Sequence, residues 1–311
     1  MTAPHKDTPD HLGIFAALGV FDGVHKGHRA VIDAVKREAA ARGLSSAVIS
    51  FRAHPQTVLH PETPFPMLTS PEERAFLLQQ TGIDQTIFLD FTFEMSKLSA
   101  YDFLKVLSSR FQVKGLVIGY DHRFGHNRAE GFDDYVRYGH ELGIEIIHTG
   151  ELISDAGPVS SSIIRKHLLQ GDVATANRLL SYPYTLHGKV VDGFKVGRTI
   201  DFPTANIAID YPDKLIPANG VYAVQAVLCD GSKHDAMLNI GHRPTLNRPD
   251  DYSIEAHIFD FSGDLYGQEI SVELIEYLRP EQKFADTTAL RAQLIADKEN
   301  TRNILSKITD L

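Results

Sequence analysis

This 311-residue sequence contains a single cysteine, Cys229, and no tryptophan. One cysteine excludes an intramolecular disulfide and any metal or redox site that needs two thiolates. Long hydrophobic runs are absent as well: no stretch of about 18 apolar residues occurs, and the polar first residues do not resemble a signal peptide. Basic residues are outnumbered, and the net charge of −9 argues against nucleic acid or an anionic membrane surface as the main partner. We therefore expect a cytoplasmic protein.

Hydrophobic residues make up 43% of the chain and charged residues 23%, values typical of a folded globular protein. The length suits two domains of ordinary size. The pattern changes near residue 182, because short apolar runs alternate with helical spacing before it, whereas alternating runs between turn residues dominate after it. We therefore predict one domain over residues 1–182 and a second over residues 183–311.

The first half opens with a strand, a glycine-rich turn and a helix. The apolar run of residues 14–18 leads into Gly19, Gly23 and Gly27, and helical spacing follows at once. Strands and helices then alternate, which predicts a parallel sheet covered by helices on both faces. Residues 55–70 contain four prolines, and we expect a long loop without regular structure there.

His25 and His28 lie where the first helix should begin. The backbone N–H groups of that turn and the positive end of the helix dipole suit a phosphate, and imidazoles can donate hydrogen bonds to its oxygens. This arrangement favours nucleotidyl transfer. The alternative is that the histidines merely cap the helix, and the motif alone favours that simpler interpretation.

Polar residues also follow other strands of the predicted sheet. His54 follows the second strand and Asp121 the fourth, and ligands gather at the carboxyl ends of strands in open parallel sheets. Ser161, Ser162 and Arg165 lie at the start of an amphipathic helix, where they either bind a second phosphate or serve as ordinary capping residues.

The second half predicts a small antiparallel sheet or barrel that ends in a helix from about residue 285. Its first loop combines glycines with basic side chains and suits a flap over polyphosphate: Gly188, Gly193, Lys195, Gly197 and Arg198. If the chain is extended at Thr204 and Asn206, the two side chains share one face and their neutral oxygens could help to hold Mg²⁺, although a plain turn is the alternative. Glu255 lies in another predicted strand, as a site residue or as an ordinary solvent-facing one.

These motifs together resemble the bifunctional bacterial riboflavin kinase/FAD synthetase family along nearly the whole chain. The first half carries GVFDGVHKGH, FRAHP, GYDHRFG and VSSSIIR, and the second half carries GKVVDGFKVGR, FPTAN, NIGHRPT and EAHIFDF. The resemblance implies a Rossmann-like α/β nucleotidyltransferase with a parallel sheet, followed by a flavokinase β-barrel with a C-terminal helix. It also implies two reactions: riboflavin and ATP give FMN, and FMN and ATP then give FAD and pyrophosphate.

The resemblance also implies roles for individual residues. In the first half, a pocket for ATP and FMN would include Gly19, Phe21, Asp22, Gly23, His25, Gly27, His28, His54, Asp121, Ser161, Ser162 and Arg165. Of these, His25, His28 and Arg165 would take part in catalysis. In the second half, Thr204 and Asn206 would coordinate Mg²⁺, and Glu255 would be the general base that accepts the proton of the terminal ribityl hydroxyl. Cofactor binding there would involve Gly188, Gly193, Gly197, Arg198 and Asn239.

The chain departs from the family pattern at three positions. It has Ala53 where the family usually has proline, His122 where phenylalanine is usual, and Asp201 where glycine precedes FPTAN. Two alternatives stay open: an enzyme that keeps only one activity, and a flavin-binding protein without catalysis. The expected partners are riboflavin, FMN, FAD and ATP, with no nucleic acid and no membrane, and a homo-oligomer is compatible with the sequence.

Overall fold

The computed structural model describes residues 13–119, 123–126, 130–150, 153–154, 157–193, 202–242 and 252–309. The chain divides into two compact units, Met1–Ser160 and Ser161–Leu311, and each is described by itself. No helix in the described ranges is long and apolar enough to cross a membrane.

The first unit is built on a parallel sheet whose central strands are buried on both faces. Its described strands are β1 (Ile14–Leu18), β2 (Ser45–Phe51), β3 (Gln85–Leu89), β4 (Val113–Ile118) and β5 (Glu145–His148). They run in the order β3-β2-β1-β4-β5, and a separate short hairpin pairs β6 (Ile153–Ser154) with β7 (Gly157–Pro158). Every residue of β1 and β2 is buried, as expected for the centre of a parallel sheet.

The helices of this unit begin and end at recognisable signals. They are α1 (Lys26–Arg42), α2 (Pro55–Leu59), α3 (Pro71–Gln79), α4 (Phe93–Ser96), α5 (Ala100–Phe111) and α6 (Phe132–Leu142). At α3, the Ser70 side chain accepts a hydrogen bond from the Glu73 backbone, and the Glu73 side chain accepts one from the Ser70 backbone, which together form a capping box. Gly43 ends α1 and Gly143 ends α6, both in the left-handed conformation that glycine adopts readily.

The order of the strands determines where a ligand can approach. The chain passes from β1 to β2 on one side, whereas β4 pairs with the opposite edge of β1. The crevice outside the carboxyl ends of β1 and β4 is therefore the topological switch point, where open α/β sheets bind ligands. The glycine-rich turn and the start of α1 lie at this end of β1.

The second unit is a closed antiparallel barrel with helices before and after it. Its described helices are α7 (Ser161–Leu169), α8 (Val173–Leu180) and α9 (Thr287–Thr309). The barrel order is β10-β11-β12-β9-β8-β13, formed by β8 (Tyr184–Val191), β9 (Ala205–Ile209), β10 (Gly220–Leu228), β11 (Lys233–His242), β12 (Tyr252–Ile258) and β13 (Glu269–Arg279).

Specific side chains attach the flanking helices to the barrel. Asn177 of α8 donates to the Leu274 carbonyl at 2.8 Å and accepts from the Tyr184 backbone at 2.7 Å. Arg279, at the end of β13, forms a largely buried ion pair with Asp297 of α9, with its guanidinium 2.7 Å from the carboxylate. Helices α8 and α9 are therefore part of the same folded unit as the barrel.

The predicted fold class is confirmed, since a parallel sheet with helices precedes an antiparallel barrel with a C-terminal helix. The expectation of an irregular loop over residues 55–70 is wrong at its start, because residues 55–59 form α2. Proline interrupts the interior of a helix but suits its first position, and Pro55 occupies that position in α2.

The division of the chain by contacts falls between residues 160 and 161, so α7 and α8 belong to the barrel unit. The boundary at residue 182 stays a prediction.

Candidate active sites

His25 and His28 lie together at the start of α1. His25 is the N-cap and is almost fully buried, and its Nδ1 accepts a hydrogen bond of 3.3 Å from the His28 backbone. The two rings stack with centroids 3.6 Å apart. Because Nδ1 of His25 is an acceptor, the proton of its neutral ring belongs on Nε2. The capping alternative is therefore observed for His25, and it leaves Nε2 as a donor.

Gly27 lies directly against the His25 ring. A methyl group on Gly27 would come within 3.1 Å of the His25 imidazole and 3.4 Å of the Val159 carbonyl. A side chain at this position would therefore displace the His25 ring or the backbone at Val159. This contact explains the glycine between the two histidines.

The turn before α1 holds an uncommon backbone conformation. Phe21 and Val24 have positive φ angles of 55° and 36°, and Gly23 lies at 82°. Positive φ is strained for a β-branched residue such as valine, and such strain persists only where surrounding contacts fix it. Gly19 contributes to the turn by donating its N–H to the Ile49 carbonyl at 3.1 Å.

The carboxylate of Asp22 is buried and points towards residues 68 and 69. It accepts hydrogen bonds of 3.0 Å from the backbones of Leu68 and Thr69 and from the Thr69 hydroxyl, and the residue is 2% exposed. Thr69 also accepts from the Gly23 backbone at 3.1 Å. The described contacts of Asp22 thus hold the turn in place, and the sequence held no signal that pointed to residues 68 and 69 as its partners.

His54 lies at the carboxyl end of β2, beside β1. It caps α2 by accepting from the Gln56 backbone at 3.1 Å, and its ring stacks on Phe65 at 4.0 Å. His25 and His28 thus follow β1, and His54 follows the neighbouring strand β2. Asp121 and His122 lie outside the described residues.

Ser161, Ser162 and Arg165 all lie on α7. Ser161 is the first residue of the helix, and Arg165 follows one turn later and is half-buried. The structure therefore places this predicted group together at one helix end, as the sequence indicated.

The candidate residues of the barrel meet around Glu255 on β12. Thr204 donates its hydroxyl to Oε2 of Glu255 at 3.1 Å, and Ser253 donates to Oε1 at 2.8 Å. Asn206 on β9 and Asn239 on β11 are the direct cross-strand partners of Glu255. Directly opposed residues share one face of a sheet, so an acidic group, a hydroxyl and two amides line the same surface.

Two predicted flap residues pack closely against β9, and one of them, Gly193, contacts this surface. A methyl group on Gly193 would lie 2.1 Å from Nδ2 of Asn206, so the amide occupies the space that a side chain would fill. A methyl group on Gly188 would lie 2.2 Å from the Ala208 carbonyl. Gly197, Arg198 and Asp201 lie outside the described residues.

Sequence reasoning overlooked three residues beside this cluster. Ser253 is the second hydroxyl on Glu255, and its spacing of two from Glu255 in a strand could have indicated a shared face. Glu281 accepts from Asn239 at 3.3 Å, a contact from a distant loop that carries no local signal. His257 bonds through Nδ1 to the Pro203 carbonyl at 2.8 Å, next to Thr204.

His257 is held as a neutral donor. Burial lowers its pKa below the ordinary value, and the bond to the Pro203 carbonyl opposes this shift only in part. A carbonyl can only accept, so the proton of the ring lies on Nδ1. His257 therefore attaches the segment before β9 to β12.

The oxygens of this cluster fit a magnesium ion. Thr204 and Asn206 offer a hydroxyl and an amide oxygen, and the Glu255 carboxylate lies within hydrogen-bond distance of Thr204. Mg²⁺ prefers such oxygen ligands and otherwise keeps waters and substrate phosphates. Among the described residues, no group of three or more His, Cys, Asp or Glu side chains forms a metal site by itself.

Comparison with known proteins matches both units. The FAD synthetase family model matches residues 7–163, and the riboflavin kinase family model matches residues 180–305. The bifunctional riboflavin kinase/FMN adenylyltransferase of Listeria monocytogenes is 38% identical over 94% of this chain and 93% of its own length. The chain belongs to the bifunctional riboflavin kinase/FMN adenylyltransferase family. The resemblance predicted from the motifs is thereby confirmed.

Other members of this family are nearly as similar. The Escherichia coli K12 protein of the same name is 33% identical over 93% of this chain and 92% of its own length. Among solved structures, one described as a macrolide-efflux protein from Streptococcus pneumoniae has a TM-score of 0.86 and 32% identity. The similarity covers 94% of both chains and therefore includes both units.

Proposed function

We propose that the first unit adenylylates FMN and that the barrel unit phosphorylates riboflavin, each with its own set of residues. The chain is an enzyme of flavin cofactor synthesis with both activities. The division between units is supported by the family models, which match the two units in succession, and by the two separate clusters of polar side chains.

In the first unit, a phosphate oxygen of FMN attacks the α-phosphorus of ATP and pyrophosphate leaves. Negative charge grows on the departing phosphates, and preorganised donors that face this charge lower the barrier. The Nε2 proton of His25 and the imidazole of His28 supply such donors beside the N-terminus of α1. His54, at the carboxyl end of the neighbouring strand β2, completes the proposed binding region of this unit. The roles that the resemblance gives to Ser161, Ser162 and Arg165 stay predictions.

In the barrel, Glu255 accepts the proton of the terminal ribityl hydroxyl while that oxygen attacks the γ-phosphorus of ATP; the bond between the γ-phosphorus and the bridging oxygen breaks, and ADP leaves. The hydroxyls of Thr204 and Ser253 fix the orientation of the carboxylate. A general base placed in this way contributes about a hundredfold or more to the rate.

Thr204 and Asn206 are the proposed Mg²⁺ ligands. When bound there, Mg²⁺ would neutralise charge on the phosphates of ATP and orient them for transfer. The fit of the oxygen donors around Glu255 supports this assignment. The single cysteine and acidic net charge support a cytoplasmic enzyme without a nucleic-acid partner.

The arrangement of Thr204, Ser253 and both asparagines around Glu255 carries the proposal, and Glu255→Gln tests it. Glutamine keeps the shape but does not accept the proton, so we expect FMN formation to fall about a hundredfold or more. FAD formation from supplied FMN should continue. Glu276→Gln, which changes an exposed carboxylate of β13, is the matched control and should keep both rates.

The readout is chromatographic separation of riboflavin, FMN and FAD after incubation of the full chain with ATP and Mg²⁺. Loss of both reactions in a folded Glu255→Gln protein would show that the two activities share residues. Undiminished FMN formation would exclude Glu255 as the base. An unmodified chain that gives no ADP from riboflavin and ATP would favour a flavin-binding protein without kinase activity.

A further inference from the structure

Residues 68–74, here called the 68–74 segment, contact the loops that follow both β1 and β2. The segment ends the proline-rich stretch and forms the first turn of α3. It has no part in the adenylylation chemistry described above. Its hydrogen bonds nevertheless reach the two places where the proposed adenylylation residues lie.

The first connection is through Asp22. Both of its carboxylate oxygens accept bonds of 3.0 Å from Leu68 and Thr69, and Thr69 also accepts from the Gly23 backbone. Asp22 lies between Phe21 and Val24, the two non-glycine residues of this turn with positive φ. Strained backbone persists only when its surroundings fix it, and these four bonds act on the residues at the centre of the strained turn.

The second connection is through Arg74, which is fully buried. Its guanidinium donates to the carbonyls of Phe51 and Arg52 at 2.6 and 3.0 Å and lies 5.5 Å from the centre of the Phe88 ring. Arg52 is two residues before His54. The guanidinium thus fixes the end of β2 and the start of residues 52–54, here called the His54 loop.

The capping box of α3 links the connection through Asp22 to the connection through Arg74. Ser70 and Glu73 bond to each other's backbone at 3.1 and 2.8 Å between Thr69 and Arg74. A doubly capped first turn has little freedom to change shape. A displacement at Thr69 would therefore be transmitted to Arg74.

We propose that the 68–74 segment is a positioning element for adenylylation, in which Asp22 and Arg74 hold the His25 and His28 turn and the His54 loop in one arrangement. This inference rests on the proposed function of those histidines. Asp22 then acts through the turn and does not need to touch ATP. Release of its bonds would let Phe21 and Val24 relax to negative φ and would turn the following His25 away from its present position.

Thr69 offers the sharpest test, because Thr69→Val keeps the shape and removes only the hydroxyl. Displacement of a catalytic group by about 1 Å lowers the rate by up to a hundredfold, so we expect the kcat of FMN adenylylation to fall about tenfold or more. Thr69→Ser keeps the hydroxyl and should restore kcat to within about threefold of the unmodified enzyme. Riboflavin kinase activity of both proteins should be unchanged.

The matched control is Thr81→Val, which also removes a threonine hydroxyl. The Thr81 hydroxyl donates to the Leu78 carbonyl at 2.6 Å, near the end of α3. This variant should lower stability without changing adenylylation. All assays are made on the full chain, well below its unfolding temperature, with kcat and the KM for ATP measured separately. A Thr69→Val protein that is merely less stable, with kcat and KM both intact, would overturn the proposal.

Asp22→Asn gives an independent check through a double-mutant cycle. If both residues act through the same contact, the Asp22→Asn/Thr69→Val protein should be no slower than the slower single variant. Fully multiplicative losses would contradict the shared contact. His28→Ala separates the proposed adenylylation site from the proposed positioning element. If His28→Ala leaves adenylylation intact, the proposed site is wrong. If His28→Ala is inactive and Thr69→Val is fully active, only the positioning element is refuted.

Discussion

The close contact between Gly193 and Asn206 predicts that one added methyl group will impair the kinase. In Gly193→Ala the new carbon would start 2.1 Å from Nδ2 of Asn206, whereas ordinary contacts begin near 3.4 Å. The amide must therefore retreat by about 1.3 Å, the difference between these two distances. Asn206 is 7% exposed and pairs directly with Glu255, so it has little room in which to move.

This displacement sets the expected magnitude. Functional groups must lie within roughly 0.5 Å of their productive positions, and an error of about 1 Å can lower a rate by a hundredfold. We expect riboflavin phosphorylation to fall by about that factor, with a higher Mg²⁺ concentration needed for half-maximal rate. Crowding should also lower the stability of the barrel by about 1–3 kcal/mol.

The assay compares initial rates of FMN formation over a range of Mg²⁺ concentrations, with FAD formation from supplied FMN as the internal reference. Gly231→Ala is the control, because it adds a methyl group to open space in the turn between β10 and β11 and strains only the local backbone. A folded Gly193→Ala enzyme with normal kinase kcat and Mg²⁺ dependence would refute the reasoning. It would mean that the observed position of Asn206 is not the one that the kinase uses.

Three further predictions concern other parts of the chain. His28→Ala should lower FAD formation about a hundredfold or more while FMN formation continues, and flavin chromatography would contradict this if riboflavin still proceeded to FAD at the normal rate. Gly115→Ala should destabilise the first unit by about 1–3 kcal/mol, because its methyl group would start 2.0 Å from the Phe15 ring; an unchanged midpoint in denaturant would disprove the crowding. Burial lowers the pKa of His257 below its ordinary 6.5, so the unfolded chain binds this proton more readily and stability should be lost as pH falls through and below 6.5. His257→Gln should show a smaller loss between pH 7.5 and pH 5.5 in denaturant titrations, and an equal loss would assign the pH dependence to other groups.

Local signals in the sequence were sufficient to predict most of the elements. The capping box at Ser70 and Glu73 is predictable from residue types alone, because it depends on a spacing of three at the start of one helix. The alternating run of residues 220–228, bounded by turn residues, indicates a strand, and β10 is observed as Gly220–Leu228. Strand β9 was not anticipated, because Thr204 and Asn206 lie in a short stretch whose proline favoured a turn. The partner strands β8 and β12 provide the hydrogen bonds that make it a strand.

The candidate sites were predictable only in their residue types. Glu255, Thr204 and Asn206 were identified through the motifs, and the structure brings them to one surface of the barrel. The partners of Asp22 could not be foreseen, because residues 68 and 69 are 46 and 47 positions away and are joined to it by backbone N–H groups, which every residue carries. Glu281 is likewise 42 positions from Asn239. Such contacts between residues distant in sequence depend on the tertiary fold, which the local sequence pattern does not reveal.

The two hydrogen bonds of Asn177 determine where the chain can be cut for study of the kinase alone. A fragment that begins after α8 would leave the Leu274 carbonyl and the Tyr184 N–H without this amide, and it would uncover the barrel surface on which α8 packs. Removal of one such partner from a buried polar group destabilises a protein by about 1–3 kcal/mol. A fragment that begins at Ser161 retains both bonds and both helices. Truncation, expression and crystallisation of the barrel should therefore start before α7, some twenty residues earlier than the riboflavin kinase motifs alone would suggest.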